Sequence, residues 1–385
     1  MIEENRLKEN LSVFSFPRLS GTEFEKKSFN LAKQKIEDLN LTPSVQKFSF
    51  STFYSRIYPK FSLILLFWLH FTLFFNIYWV FRLLSLILIL IILLVLTFIT
   101  RNPEKIQFGK TLNSQNLYIK LPSKSINSDK NILLFSHLDS KGQILSIKFR
   151  IQSYFIWFFS FIFGILIIIV NSFLFMGKKP LLWLFIIGAI MLGINFISTI
   201  IITINSTNNK SKGAIDNASG VTCVLELLRY YSNPEFRLDN YNLWFVFTGA
   251  EESGTMGVRN FYNNIKYFDR DKTFTINFDS IAKKVNLWDH GLLNNKNYKS
   301  FNYILENKGI MSLEKKTHRF YIGTYSDGLF LLNKKFKGLG NGDKSTYNYI
   351  HSENDDLDKI DITVLKKLCQ FYTILLNEID INLNK

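Results

Sequence analysis

Cysteine is nearly absent from this chain, since only Cys223 and Cys369 occur in 385 residues. The two lie far apart in sequence and both fall in predicted helices, so no disulfide framework is indicated and we expect two buried thiols. The N-terminus also lacks the basic region and short apolar core of a cleavable signal peptide. We therefore expect the first long apolar segment to direct insertion into a membrane.

No nucleic-acid-binding motif accompanies the positive charge of the chain. The formal net charge is +15 and the pI is about 9.5, but the lysines are scattered and no cluster of arginine with aromatic residues occurs. A solvated surface biased toward lysine and asparagine explains this charge most simply, and attraction to anionic lipid is the second interpretation. The sequence predicts no nucleic-acid partner.

Charged residues are scarce in two long runs, 61–100 and 153–204. A single helix over the first run would be ~60 Å long, about twice the hydrocarbon thickness of a bilayer, so the chain must turn back within it. Asn76 and Arg82 mark this turn, and the polar residues 177–180 mark a turn in the second run. The sequence therefore predicts four transmembrane helices in two hairpins, with the lipid bilayer as a partner.

The rest of the chain is rich in polar residues and is long enough for one α/β domain. We expect this domain to be assembled from residues 1–60, 101–152 and 205–385. The two hairpins, residues 61–100 and 153–204, would interrupt it.

Acidic residues and histidines follow the predicted strands of this domain. A buried strand over Asn131–Phe135 leads to His137 and Asp139. Residues two apart share a face in an extended chain, so Asp139 can contact the His137 ring and fix its orientation. This H-x-D pattern alone is a weak signal for metal binding.

Asp216 precedes a run with helical apolar spacing, Val221–Tyr230. It could cap that helix, or its two oxygens could bridge a pair of metal ions, and the spacing does not decide between these roles.

Two adjacent carboxylates, Glu251 and Glu252, follow the strand Tyr241–Phe247. Adjacent carboxylates repel each other, and a division of labour explains them best, with one binding metal while the other accepts a proton. Asp279 follows the strand Thr273–Phe278, and His351 follows a loop rich in tyrosine and asparagine. If one sheet edge gathers these residues, the arrangement is that of a two-metal hydrolase.

This chemistry constrains the membrane topology. His137 and Asp216 can reach the same metals only if the segment between them crosses the bilayer an even number of times. The short turns carry three basic residues and the other flanks of the apolar runs carry eight, which favours a cytoplasmic position for the polar domain under the positive-inside rule.

Together, the motifs resemble those of metallopeptidase family twenty-eight, the co-catalytic di-zinc aminopeptidases. The match covers nearly all of the polar part of the chain. Its five ordered motifs are His137-Leu-Asp139, Asp216-Asn-Ala-Ser-Gly220, Gly249-Ala-Glu251-Glu252-Ser-Gly254, Asn277-Phe-Asp279 and His351. Pro17-Arg18-Leu19-Ser20-Gly21 looks like the start of the family domain, and Ser326-Asp327-Gly328-Leu329-Phe330 like its late Ser-Asp motif.

The resemblance implies a three-layer α/β/α sandwich with a mixed sheet and two Zn²⁺ ions. His137, Asp216 and Asp279 would hold one ion, and Asp216, Glu252 and His351 the other. Glu251 would be the general base and Asp139 would orient His137. The implied function is a membrane-anchored aminopeptidase that acts on peptide or aminoacyl substrates.

Three other functions are compatible with the sequence alone. The first is a catalytically inactive scaffold or receptor, although every position of the site is filled in this sequence. The second is another reaction on the same fold, such as glutaminyl cyclisation, which is expected to use one zinc, or amide hydrolysis. The third, a transporter, has little support because charges within the apolar runs are scarce. Gly338-x-Gly340-x-Gly342 has no strand-to-helix context for phosphate binding, so we expect a flexible loop there.

Overall fold

A computed structural model of the full chain describes residues 1–75, 78–174, 182–293, 299–314 and 326–382. Asn76 of the first predicted turn and the polar residues 177–180 of the second lie outside the described residues.

The described chain contains eleven α-helices and ten strands. In chain order, the helices are α1 (Glu4–Phe14), α2 (Glu23–Glu37), α3 (Tyr58–Phe74), α4 (Trp79–Ile99), α5 (Ile147–Leu174), α6 (Leu182–Ile204), α7 (Ser219–Ser232), α8 (Met256–Ile265), α9 (Lys299–Glu306), α10 (Asp327–Asn333) and α11 (Ile362–Asn382). The strands are β1 (Ser44–Ser51), β2 (Thr111–Leu121), β3 (Asn131–His137), β4 (Gly142–Gln143), β5 (Thr207–Asn208), β6 (Asn242–Thr248), β7 (Thr273–Phe278), β8 (Val285–His290), β9 (Met311–Glu314) and β10 (Lys337–Gly342).

The chain divides into two compact units, each built from separate stretches of sequence. The first unit contains residues 1–50, 112–143 and 208–385, and we term it the peptidase unit after the family that its motifs resemble. The second, the helical unit, contains residues 51–111 and 144–207.

One mixed sheet organises the peptidase unit. Among the described residues it has eight strands in the order β1-β2-β6-β3-β7-β10-β8-β9. Strand β3 runs parallel to both β6 and β7, with His137 opposite Thr248 and Phe135 opposite Asn277. The carboxyl ends of these three strands therefore meet at one edge, which is where parallel α/β sheets commonly bind their ligands.

Helices cover both faces of this sheet. Strand β3 is buried along its whole length, and its side chains alternate between the two faces as the two-residue period of a strand requires. Ile132 and Leu134 join a core with α1, α2, α7 and α11, whereas Leu133 and Phe135 join a second core with α8 and α10. The prediction of a three-layer α/β/α sandwich with a mixed sheet is confirmed.

The glycine-rich segment near residue 340 is a strand, so the prediction of a flexible loop there is wrong. Strand β10 pairs with β7 in parallel and with β8 in antiparallel register. A Cβ on Gly338 would lie 1.8 Å from the main-chain oxygen of Thr275 on β7. Glycine is required because the neighbouring backbone leaves no room for a side chain, a use of strand glycine that a loop interpretation misses.

The helical unit contains, within the described chain, four helices that are long and apolar enough to cross a membrane, as predicted. They cover Phe53–Phe74, Trp79–Ile99, Ile147–Asn171 and Leu182–Ile204. Helices α5 and α6 pack along each other, and the Trp157 indole of α5 donates a 2.8 Å hydrogen bond to the Thr199 hydroxyl of α6. Lys60 at the start of α3 donates to the main-chain oxygens of Thr203 and Asn205, at 2.7 and 2.5 Å, and so caps the end of α6.

Candidate metal centre

Two groups of potential metal ligands share one carboxylate at the edge where β3, β6 and β7 end. His137, Asp216 and Asp279 form the first group, and Asp216, Glu252 and His351 form the second. Within each group the ligand atoms all lie within 4.8 Å of one another. The structure thus brings together all five residues that the sequence proposed as ligands, in the two sets that the resemblance implied.

The His137 ring presents one nitrogen to the carboxylates and the other to its own loop. Its Nε2 lies 3.0 Å from Asp216 Oδ1 and 3.7 Å from Asp279 Oδ1. Its Nδ1 lies 3.1 Å from the main-chain oxygen of Asp139 and 3.5 Å from a carboxylate oxygen of the same residue. A hydrogen on Nδ1 leaves the lone pair of Nε2 free, which is the tautomer a metal-binding histidine needs.

His351 is arranged in the same way on the other side of Asp216. Its Nε2 lies 2.9 Å from Glu252 Oε1 and 3.2 Å from Asp216 Oδ2. Its Nδ1 lies 3.4 Å from the side-chain oxygen of Gln143. Each oxygen of Asp216 therefore faces a different imidazole, as expected of a carboxylate that bridges two cations.

The donor set fits divalent metal ions such as zinc. Asp216 Oδ1 and Glu252 Oε1 are buried and have no hydrogen-bond partner among the described residues, although an imidazole nitrogen lies about 3 Å from each. Buried carboxylate oxygens are rarely left unpaired, because their desolvation is costly. Lone pairs from nitrogen and oxygen that converge without hydrogen-bond geometry are explained by a cation between them.

The electrostatics of the site favour positive charge. Burial by itself would lower the pKa of His137, but the carboxylates of Asp139, Asp216 and Asp279 outweigh it and hold the pKa well above its usual value. Burial would raise the pKa of Asp216, yet the imidazoles of His137 and His351 hold it below its ordinary value. Bound metal ions would supply the same positive charge to these carboxylates after displacing the imidazole protons.

The adjacent glutamates differ in their surroundings. Burial, with the nearby Glu252, Asp327 and Asp279 carboxylates, raises the pKa of Glu251 well above its usual value against the opposing effect of His137. Glu251 Oε1 is buried and, among the described residues, has no hydrogen-bond partner. No hydrogen bond within the described part of the chain therefore occupies this oxygen.

Asp139 contacts the backbone of the two glutamates as well as His137. Its carboxylate accepts hydrogen bonds from the main-chain N–H groups of Glu251 and Glu252, each at 3.1 Å, and from the hydroxyl of Ser20 at 2.5 Å. Asp139 thereby links the loop after β3 to the loop after β6.

Several loops that carry the candidate ligands contain a residue with positive φ. Ala250 before Glu251 has φ +51°, Ser280 after Asp279 has φ +59°, and His351 itself has φ +60°. Residues other than glycine adopt this left-handed conformation at a cost, and such strain concentrates at functional sites.

Four charged residues support the site in ways that motif reasoning did not find. Glu25 accepts from the N–H of Ala250 at 2.8 Å, and burial raises the pKa of Glu25 to about 8. Asp355 accepts from the N–H of Ile215 at 2.6 Å, next to Asp216. The Lys141 ammonium lies 3.3 Å from Glu252 Oε2.

The fourth of these residues, Arg18, stands in a motif that the resemblance included without assigning it a role. Their partners are remote in sequence, so no local spacing reveals them.

The comparisons with known proteins agree with this architecture. Residues 198–373 match the model of peptidase family M28, a segment that includes four of the five proposed ligands and both adjacent glutamates. This segment is therefore similar to a family of peptidases. His137 lies outside the matched segment. No curated protein matches the sequence.

Solved structures of several aminopeptidases share the fold. The zinc aminopeptidase of Bacillus subtilis superposes with a TM-score of 0.56 at 14% identity, covering 98% of this chain and 95% of that one. The aminopeptidase of Aneurinibacillus sp. strain AM-1 gives a TM-score of 0.55 at 13% identity, with 98% and 94% covered. A glutaminyl cyclase of Fimbriiglobus ruber gives 0.53 at 12% identity, with 98% and 95% covered. At these identities the likeness concerns the fold.

Proposed function

We propose that this protein is a membrane-anchored, zinc-dependent aminopeptidase. The observation that carries the proposal is the pair of ligand groups that share Asp216, together with Glu251 Oε1, which has no hydrogen-bond partner among the described residues. A site with one metal would need only one of these groups.

The proposed cofactors are two Zn²⁺ ions. His137, Asp216 and Asp279 would hold one, and Asp216, Glu252 and His351 the other, so each ion receives one imidazole and two carboxylates. Bound zinc supplies Lewis-acid chemistry, which polarises a carbonyl and makes a bound water more acidic. Three protein ligands per ion leave room for such a water.

Glu251 is the proposed general base. Its Oε1 accepts a proton from the attacking water and later donates it to the nitrogen of the leaving amine. A raised pKa suits this exchange, because a base must both take and release the proton near neutral pH. Asp139 would position the group, since its carboxylate holds the N–H groups of Glu251 and Glu252.

The helical unit is the proposed membrane anchor, with α3, α4, α5 and α6 crossing the bilayer. We place the peptidase unit on the cytoplasmic side, because the helix ends nearer that unit in sequence carry most of the flanking basic residues. The peptide or aminoacyl substrate would then reach the site from the cytoplasm.

Activity of the detergent-purified full chain on a panel of aminoacyl reporters tests this function. We expect release of the free amino acid, loss of activity after chelation and recovery with zinc. The panel should include a peptide with N-terminal glutamine, since cyclisation of that residue without amino-acid release would favour the glutaminyl-cyclase alternative. Protein that binds zinc but turns over no member of the panel would favour a scaffold and contradict the proposal.

A further inference from the structure

Arg18 is fully buried in the peptidase unit and donates to four main-chain carbonyl oxygens. Its Nε contacts Leu138 O at 2.8 Å, Nη1 contacts Phe16 O at 3.0 Å and Lys212 O at 2.6 Å, and Nη2 contacts Gly213 O at 2.8 Å. A buried guanidinium is costly to desolvate, so a site that retains one needs its particular geometry.

Two of these contacts join the loops that bear the proposed ligands. Leu138 lies between His137 and Asp139, and Gly213 lies three residues before Asp216. The chain leaves the peptidase unit after residue 143 and returns to it at residue 208. Arg18 therefore bridges the stretch that departs toward the helical unit and the stretch that returns from it.

Neighbouring residues reinforce the same bridge, and we term residues 18–20 the strap. The main-chain N–H of Arg18 donates to Ser140 Oγ and the N–H of Ser140 donates to Arg18 O, each at 3.0 Å. The N–H of Leu19 donates to Asn209 Oδ1 at 2.8 Å on the returning stretch. The hydroxyl of Ser20 donates to the Asp139 carboxylate.

The bridge requires the planar geometry of the guanidinium group, which directs several N–H donors at once. It presents five N–H donors in fixed directions, whereas a lysine ammonium has three donors at a single point. A Cβ on Gly213 would lie 3.0 Å from Arg18 Nη1 and 2.5 Å from the side chain of Ser140. The returning stretch thus packs directly on the strap.

We propose that Arg18 is a positioning residue for the metal centre. Through its hydrogen bonds, Arg18 sets the distance between the His137 loop and the Asp216 loop, independently of the long helical insertion that separates them in sequence. This inference rests on the proposed function, because it assumes that both loops bind metal. Residues that orient metal ligands typically change metal affinity about 10- to 100-fold when they are replaced.

Zinc binding by the full-length protein in detergent tests the inference, with Arg18→Lys as the principal variant. We expect zinc affinity to fall about 10- to 100-fold by equilibrium dialysis. We also expect an altered visible spectrum of the cobalt-substituted protein, which a purely structural role would leave unchanged. Arg6→Lys is the matched control, since Arg6 pairs with Glu226 by a 2.8 Å contact and should leave both readouts unaltered.

Ser140→Ala is the milder second variant, which removes the hydroxyl contact to the strap and retains the backbone contact. If Arg18→Lys does not fold, the test rests on Ser140→Ala. Weaker zinc binding by Ser140→Ala then supports the inference, and a zinc-binding isotherm identical to that of the wild type overturns it. A folded Arg18→Lys protein with wild-type affinity and cobalt spectrum overturns it as well. Wild-type protein that binds no zinc would instead contradict the proposed function itself, so the two failures are distinguishable.

Discussion

Glu251 and Glu252 are neighbours in sequence but have pKa values shifted in opposite directions. Burial would raise the pKa of Glu252, yet His351 and Lys141 hold it below its ordinary value, whereas burial and nearby carboxylates raise that of Glu251. These opposite shifts agree with the proposed roles, in which Glu252 is an ionised ligand and Glu251 transfers a proton. The sequence indicated such a division from the Glu-Glu pair, but it could not reveal Lys141, whose position depends on the fold.

Replacement of Glu251 by glutamine separates these roles. We expect Glu251→Gln to retain its metal content and to lose about 10²- to 10⁴-fold in kcat, because the amide cannot accept the proton. Glu306→Gln, at an exposed position, is the matched control. Full activity in Glu251→Gln would exclude Glu251 as the base.

Glu25 predicts a pH dependence of folding stability. Its pKa is about 8 in the folded protein against an ordinary value of 4.5, so the folded state binds the proton more tightly than the unfolded state. Stability should therefore fall as the pH rises from about 4.5 to about 8, by on the order of a few kcal/mol. Glu25→Gln cannot ionise, and its unfolding midpoint should change less over this range. Parallel curves for the two proteins would show that Glu25 does not carry this effect.

The strands that lead to the candidate ligands were predictable because each is a short apolar run followed by polar residues. Strand β3 is fully buried, and its unbroken apolar run is typical of a central strand covered on both faces. Strand β10 was missed because its alternate glycines contribute no apolar pattern. Only the approach of β7 explains them, and that approach depends on the assembled sheet.

A methyl group at Gly338 tests this packing. We expect Gly338→Ala to lower the free energy of unfolding by about 1–3 kcal/mol, because the new Cβ would overlap the Thr275 main chain. Gly309→Ala is the matched control, since a Cβ there meets nothing within 4 Å, and it should change stability by less than about 0.5 kcal/mol. Equal unfolding free energies for the two variants, measured by denaturant titration, would contradict the proposed reason for the glycine.

For the whole molecule, the sequence predicted that one domain would be interrupted by apolar hairpins. The prediction also required that the segment between His137 and Asp216 cross the bilayer an even number of times. Two long apolar helices, α5 and α6, lie between these residues, which agrees with that requirement. The bridging role of residues 18–20 could not be predicted from the sequence, because contacts between stretches remote in sequence leave no periodic pattern.

The proposed membrane anchoring, with the peptidase unit on the cytoplasmic side, can be tested with single introduced cysteines. Ile126 is 91% exposed in the peptidase unit and Tyr78 is 71% exposed between α3 and α4, whereas both native cysteines are buried. In intact cells we expect a membrane-impermeant maleimide to label Tyr78→Cys, and to label Ile126→Cys only after permeabilisation. The reverse pattern would place the peptidase unit outside the cytoplasm.

The proposed function requires that side chains scattered along the chain form one site for two metal ions. Zinc content per chain, measured on detergent-purified protein and on ligand variants, tests it most directly. We expect two zinc ions in the wild type, about one in His137→Ala or His351→Ala, and none in Asp216→Ala, because Asp216 belongs to both ligand groups. A wild type without zinc, or a His137→Ala protein with the wild-type zinc content, would contradict the proposed two-metal site.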